Sequence, residues 1–401
     1  MIPFARILNY GNTIVRSKIK QIVKPSGGSY YVLMDDGQLW VGGSNADGQL
    51  GLGNTTAQIN KLVLSRSDVR LVAAINTVTT IITNDNKIYF AGSSIAFNGT
   101  GTKVSTWQDI TDTRFSGIDI SSVVQLASAN WIQILTSTGN LYSTGNNNIG
   151  NIGNGTTTSY NATTPYLTAT DVKQMHVDGN HTYYIKNNGQ IWGCGNNGYG
   201  ATYSLDLTLT SNQQSYPIPT PVQMFPTLPV FNFTQDVFYG QNRSAYIARG
   251  TGLVSNMCGS GGYGESGVAP NSSPIIGILS PLGNSTTPGN PKMGIDNTSI
   301  STRFYITTDN KLYSVGYNYN GTCSTGSTNA TTSPVYPLTD VTANFPGNVS
   351  DIKGIVSDTG CTYVWTDYDI YMCGTNYQNM TDEFGSTGNT LKLTKLNTLP
   401  F

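Results

Sequence analysis

Side chains able to do chemistry are scarce in this chain. Two histidines (His176, His181) and two glutamates (Glu265, Glu383) stand among 401 residues. General acid–base catalysis at neutral pH draws mostly on such groups. A glycosidase needs a carboxylate pair across the scissile bond, and the aspartates single out no such pair by their spacing. His176 lies in an apolar run, "VKQMHV", and His181 opens the next, "HTYYI", so both read as structural. Asp35-Asp36 and Asp367-Tyr368-Asp369 lack the spaced oxygen ligands of a calcium loop and fall where hairpin turns are expected. The five cysteines (Cys194, Cys258, Cys323, Cys361, Cys373) are odd in number and contain no CxxC pair, which supports neither a disulfide framework nor structural zinc. One stretch, "GGSNADGQLGLGNTT" from Gly42 to Thr56, invites a phosphate-loop reading. It has no Gly-Lys-Ser/Thr and no βαβ context, so it reads as a tight turn. Catalytic, cofactor-binding and metal-binding residues are accordingly expected to be none.

The elements that carry these residues follow from composition and repetition. Hydrophobic residues make up 38% of the chain and charged residues only 11%, with 45 Gly and 24 Tyr. Low charge with many β-branched and aromatic residues points to an all-β chain with enough apolar surface for a core. The net charge of −1, with no basic arm or stripe apparent, gives no reason to expect nucleic acid as a partner. The start, "MIPFARILNYGNTIV", carries no apolar run long enough for a signal peptide or membrane span and reads as a strand.

One pattern returns along the chain: "SYYVLMDDGQLWVGG", "TTIITNDNKIYFAG", "IQILTSTGNLYSTG", "TYYIKNNGQIWGCG", a worn "AYIARGTGLVSNMCG", "RFYITTDNKLYSVG" and "TYVWTDYDIYMCG". Each is two alternating runs about a turn that tolerates positive φ, a β-hairpin signal. The copies end on Gly43, Gly92, Gly145, Gly195, Gly259, Gly316 and Gly374. A further strand precedes each hairpin, as in "IKQIV", "VRLVA" and "VVQLA". Roughly seven units at a period of about 50 to 60 residues fit a ring of four-stranded blades, which buries faces that one unit cannot bury alone. Cys194, Cys258 and Cys373 share one place before the glycine, which suits a small buried side chain.

The units resemble repeats of the RCC1 (regulator of chromosome condensation) family. The tail after the first hairpin matches that family's pattern at Gly43, Asn45, Gly48, Gln49, Gly51 and Gly53, with partial matches from Gly145 and Gly195 and a weaker one from Gly316. The resemblance implies a seven-bladed RCC1-like β-propeller over residues 19–401; residues 1–18 read separately as an N-terminal strand or arm that could dock on a partner. The last strand, "TLKLTKL", is expected to complete the first blade and close the ring; the competing expectation gives that role to the N-terminal "FARILNYGNTIV". Of the histidine that eukaryotic family members often carry at the start of the third strand, only His181 stands in that place.

Composition then orients the functional reading. Few charges and abundant Asn, Thr, Tyr and Gly resemble bacteriophage virion components, such as tail, collar, fibre or capsid-decoration proteins. The expectation is a non-enzymatic structural or interaction protein made in a host cytoplasm and placed in a virion. Its expected partners are other virion proteins or a host surface receptor or glycan, with no nucleic acid and no membrane span. The alternatives are a cellular RCC1-like adaptor or exchange factor, and a carbohydrate-binding propeller. Polar loops within Ala201–Phe233 and Ser260–Ile300 are the expected contact regions.

Overall fold

A computed structural model describes residues 16–25, 27–75, 77–93, 102–197, 217–224, 229–241, 244–249, 255–261, 271–279, 291–293, 302–318, 320–328, 335–357, 360–375, 389–397 and 399–401. In Ser255–Gly261, Asn271–Leu279 and Pro291–Met293 the backbone alone is described. Glu265, Glu383, the N-terminal arm before Arg16 and most of the two polar loops lie outside these residues.

The described residues form seven four-stranded antiparallel sheets, each built from four strands consecutive in the chain. The first comprises Ile19–Val23, Ser29–Met34, Leu39–Gly43 and Gln58–Arg66, paired in that order. The second strand is buried along its whole length, as in Ser29–Met34, Val78–Thr83 and Trp131–Thr136, because both faces of each sheet meet a neighbour. The outer strand Gln58–Arg66 alternates instead between exposed and covered positions, as a strand wetted on one face does.

The inner strands are Ile19–Val23, Val69–Ile75, Val123–Ser128, Val172–Val177, Val237–Gln241, Pro291–Met293 and Gly354–Ser357. Each of the first five contacts the next in chain order, Gly354–Ser357 contacts Thr302–Thr307 of the sixth sheet, and Ile19–Val23 also contacts Gly354–Ser357. Cores lie between adjacent sheets. One joins Tyr31, Leu33 and Val41 of the first sheet to Val72 and Ile81 of the second; another joins Ile22, Tyr30 and Val32 of the first to Tyr363 and Met372 of the seventh.

The repeat glycines share one register place. Gly43, Gly92, Gly145, Gly195, Gly259, Gly316 and Gly374 each pair with the first residue of the preceding strand: Ser29, Val78, Trp131, His181, Ser244, Thr302 and Cys361. At Gly92, φ is +118° and an added Cβ would lie 2.0 Å from the Thr77 carbonyl oxygen, so no side chain fits.

The expected role of the last strand is corrected. Asn389–Lys395 pairs with Ile370–Thr375 and is the outer strand of the seventh sheet. The first sheet already owns a fourth strand, Gln58–Arg66, so neither chain end supplies a missing one. The sequence reading placed the repeat boundary before this strand; the fold places it after.

Candidate functional site

Antiparallel order puts the hairpin turn between second and third strands, the end of the outer strand and the start of the inner strand at one end of each sheet. Neighbouring sheets share that end. Val69 N–H donates to Gly37 O (2.9 Å) and Val172 N–H to Gly139 O (2.9 Å), each linking an inner strand to the preceding sheet's turn. This end is called the turn face, and the opposite end, which carries the glycine-rich tails, the tail face.

The tails are fixed by side-chain amides and act as braces. Asn45 Oδ1 accepts the Leu50 N–H (3.0 Å) while its Nδ2 donates to Asn54 O (2.9 Å) and Thr56 O (3.1 Å). Asn147 and Asn318 repeat the arrangement with Ile152 and Cys323. Gln49 is buried and its Oε1 accepts the Asp47 N–H (3.0 Å). Each of these tails docks on the next sheet. Gly53 N–H donates to Ser105 O and Gly155 N–H to Pro219 O on outer strands, while Thr182 Oγ1 donates to Asn151 O and Thr362 Oγ1 to Thr322 O. Gly48 and Gly51 lie against Ser105 and Trp107 so closely that a Cβ would overlap them. These residues join sheets together.

The candidate catalytic side chains are built into the same frame. His181 is buried, with Nδ1 within 2.9 Å of Asp178 Oδ2 and its ring stacked on Tyr183 at 5.3 Å. Asp178 Oδ1 also accepts the Asn180 and His181 N–H groups, which makes it the organiser of that turn. His176 lies 2.7 Å from Gln174 Nε2 and edge-on to Phe238. Cys194, Cys323, Cys361 and Cys373 are buried free thiols, and burial pushes Cys194 and Cys373 up to about 12. Such thiols are poor nucleophiles. Asp36 accepts from Ser17 and Gln38, and Asp35 from the Lys18 N–H. Asp367 holds Lys18 (2.9 Å) and lies 3.6 Å from Lys353, and the bond to Lys18 lowers its pKa.

Four of the seven exposed large apolar residues among those described lie at the turn face; Ile59, Leu64 and Leu167 lie on outer strands. Val124 (51% exposed) is the second residue of an inner strand, Val230 (60%) and Phe233 (37%) lie in the link from fourth to fifth sheet, and Tyr368 (37%) lies in the seventh hairpin turn. A groove of about 300 Å³ opens between the third and fourth sheets, lined by Val124, Leu135, Thr136–Gly139, Val172, Lys173 and Asn187.

Cations stand at the same end, at equivalent places on several sheets. The second place of the inner strand is Lys20, Arg70 and Lys173 in the first, second and fourth sheets, and Lys353 holds the matching place before Gly354. Lys20 Nζ donates to Arg70 O (2.8 Å), and burial beside Arg70 lowers its pKa. The Arg70 guanidinium donates to Val123 O (2.7 Å) and Ile120 O (2.8 Å) and so ties the second sheet to the third. Composition missed this set because its members lie one per sheet, about 50 residues apart.

No protein-family model matches the chain, and no curated protein matches it in sequence. Solved structures do. Yeast RCC1 (Prp20), in a structure described as bound to Kap60, aligns at TM-score 0.62 and 16% identity, over 85% of this chain and 78% of that one. Human WBSCR16 aligns at TM-score 0.61 and 17% identity, over 87% of each chain. This chain has an RCC1-like β-propeller fold. The Asn-anchored tail and the shared register of the seven repeat glycines are the local features through which its sequence specifies that fold. A structure of Prp20p from Saccharomyces cerevisiae, described with its binding properties to Gsp1p and histones, aligns at TM-score 0.60 and 15% identity over 82% and 77% of the two chains. At these identities the likeness concerns the fold.

Proposed function

We propose that this chain is a non-enzymatic protein-interaction propeller that meets its partner through the turn face. The observation that carries the reading is the gathering of Val124, Val230, Phe233 and Tyr368, all exposed, at the end of the sheets that also bears the groove and the inner-strand cations. Exposed apolar side chains beside polar and charged ones are the usual composition of a docking surface. Burial of the described thiols and of His181 supports the non-enzymatic part. Solved structures of the same fold are described with protein partners, Kap60 for one and Gsp1p and histones for another, which supports an interaction role.

The seven sheets form one closed ring in this reading. Its support is the Ile19 N–H donated to Asp367 O (2.8 Å), the core shared by first and seventh sheets, and Phe401 packed 5.9 Å from Trp40. The ring closes face to face between two complete sheets. The narrower reading as a bacteriophage virion component rests on composition alone, and the comparisons add nothing to it. Its test is detection of the protein in purified particles.

Affinity capture with three proteins tests the interaction reading: the wild type, a turn-face variant (Val124→Glu with Phe233→Glu) and a rim variant (Ile59→Glu with Leu167→Glu). Partners lost from the turn-face variant and kept by the rim variant support it. Equal capture by all three, or loss from the rim variant alone, overturns it.

A further inference from the structure

The inner strands carry a recurring irregularity. Pairing runs Ile19↔Met34 then Gln21↔Leu33, Val69↔Thr83 then Leu71↔Ile82, Val123↔Thr136 then Gln125↔Leu135, and Val172↔Lys186 then Gln174↔Ile185. In each sheet the inner strand has one residue more than its partner, so Lys20, Arg70, Val124 and Lys173 sit on β-bulges. The sixth sheet skips its second inner residue in the same way, between Pro291 and Met293. A bulge leaves its extra residue out of the ladder and re-aims its side chain, and bulges concentrate at barrel rims and beside functional sites. These bulges all fall at the turn-face end of inner strands that contact one another in order, so they frame the mouth of the central axis.

The occupants of the bulges are selective. Three of the four with described side chains are cations, although only 11% of the chain is charged. Lys20 and Lys173 are exposed, and Val124 is the exposed apolar residue that lines the groove with Lys173. The Arg70 guanidinium is held by two carbonyls, one on each terminal nitrogen, which leave its buried Nε without a partner and do not neutralise its charge. Lys353 is offset by Asp367 3.6 Å away, whereas Lys20 has only the weaker influence of Asp35, and burial is the sole cause of the shift at Arg70. The mouth thus carries a cation on each of the first, second and fourth sheets, with Asp68 held by Arg66 and Asp171 by Asn187 nearby, and an apolar patch at the third.

We propose that this mouth, framed by Lys20, Arg70, Val124 and Lys173, binds an acidic peptide segment of a protein partner, with carboxylates toward the cations and an apolar side chain in the groove. The proposal deepens the interaction reading above and rests on it. A peptide is favoured over nucleic acid because the groove beside Val124 offers an apolar seat for a side chain. The described lining also presents no aromatic platform on which a base would stack.

The test uses a fluorescein-labelled peptide of repeating Glu-Leu-Glu, titrated with the full chain and followed by anisotropy. Saturable binding is expected, weakening by about tenfold or more in the Lys20→Ala/Lys173→Ala variant and on raising salt. Val124→Ser is expected to weaken binding while leaving the salt dependence unchanged. Lys173→Glu alone serves if the double variant fails to fold. An absence of peptide binding, or binding unaltered by removal of the lysines, overturns the proposal. So does a single-stranded oligonucleotide of equal charge that competes more strongly than unlabelled peptide, which makes the mouth a phosphate site. If the lysine variant retains every partner lost by Val124→Glu/Phe233→Glu, this site falls while the interaction reading stands. If that apolar variant loses no partner, the interaction reading falls.

Discussion

Asn147 Oδ1 accepts the Ile152 N–H at 2.9 Å, the bond that Asn45 makes to Leu50 and Asn318 to Cys323. All three asparagines are essentially inaccessible to water. Removing one leaves a buried amide and several carbonyls unpaired, at about 1–3 kcal/mol each. Asn147→Ala is expected to destabilise the fold by about 2 kcal/mol or more, read as a lower denaturant midpoint. Asn147→Asp should cost at least as much, because a carboxylate oxygen would replace the amide donor facing Thr156 O and Thr158 O.

Two glycines of one tail should behave differently. Gly48 and Gly53 both have φ near +80°, so alanine costs roughly 1 kcal/mol of backbone strain at either. At Gly53 the nearest atom to an added Cβ is 3.9 Å away, but at Gly48 it would lie 2.6 Å from Ser105 Cα on the next sheet. Gly48→Ala is therefore expected to lower the melting temperature distinctly more than Gly53→Ala. Equal shifts would mean that the tail does not press on the neighbouring sheet.

Alkaline conditions should unfold the protein selectively. Burial raises Tyr31 from 10.0 to about 12, and Cys194 and Cys373 from 9.0 to about 12. Between the ordinary and raised values the unfolded chain gives up protons that the folded chain keeps, so stability falls as pH rises. Denaturant midpoints are expected to hold up to about pH 9 and decline from there toward pH 12. The same burial predicts that Cys194, Cys323, Cys361 and Cys373 resist iodoacetamide at pH 8 until the protein is unfolded, which peptide mass spectrometry will resolve.

Ring closure has a direct readout. Ile19 N–H donates to Asp367 O as Val69 donates to Gly37 and Val172 to Gly139. Hydrogen exchange at Ile19 is expected to match that at Val69 and Val172. Exchange orders of magnitude faster at Ile19 would show that the first and seventh sheets separate readily.

The hairpins and their glycines were legible because turn chemistry and alternation are local. Gly43 through Gly374 sit at a single register place, and the hairpins around them all formed strands. The outer strand was harder. "QINKLVLSR" and "TLKLTKL" are separated from their hairpins by a loop, and nothing in them says whether they pair backward or forward. Pairing backward wins: where the tail is described, after the first, third and sixth hairpins, it curls onto its neighbour and returns the chain to its own sheet. The cationic mouth was visible letter by letter in "IKQIV", "VRLVA" and "VKQMHV". Its coherence is spatial, since bulges bring together residues that the sequence spreads over many repeats. His181 shows the opposite case: its place in a repeat was readable, but the Asp178 turn that fixes it became apparent only in three dimensions.

Since every sheet is one unbroken stretch of chain, the gene can be lengthened or shortened by a whole wedge at a time. A duplication whose ends fall in the links between outer and inner strands adds a complete sheet with its own tail. One whose ends fall inside a hairpin leaves two sheets with orphaned edges. A wedge so added brings its own hydrogen-bonded edges and depends for its buried faces only on the two wedges it touches.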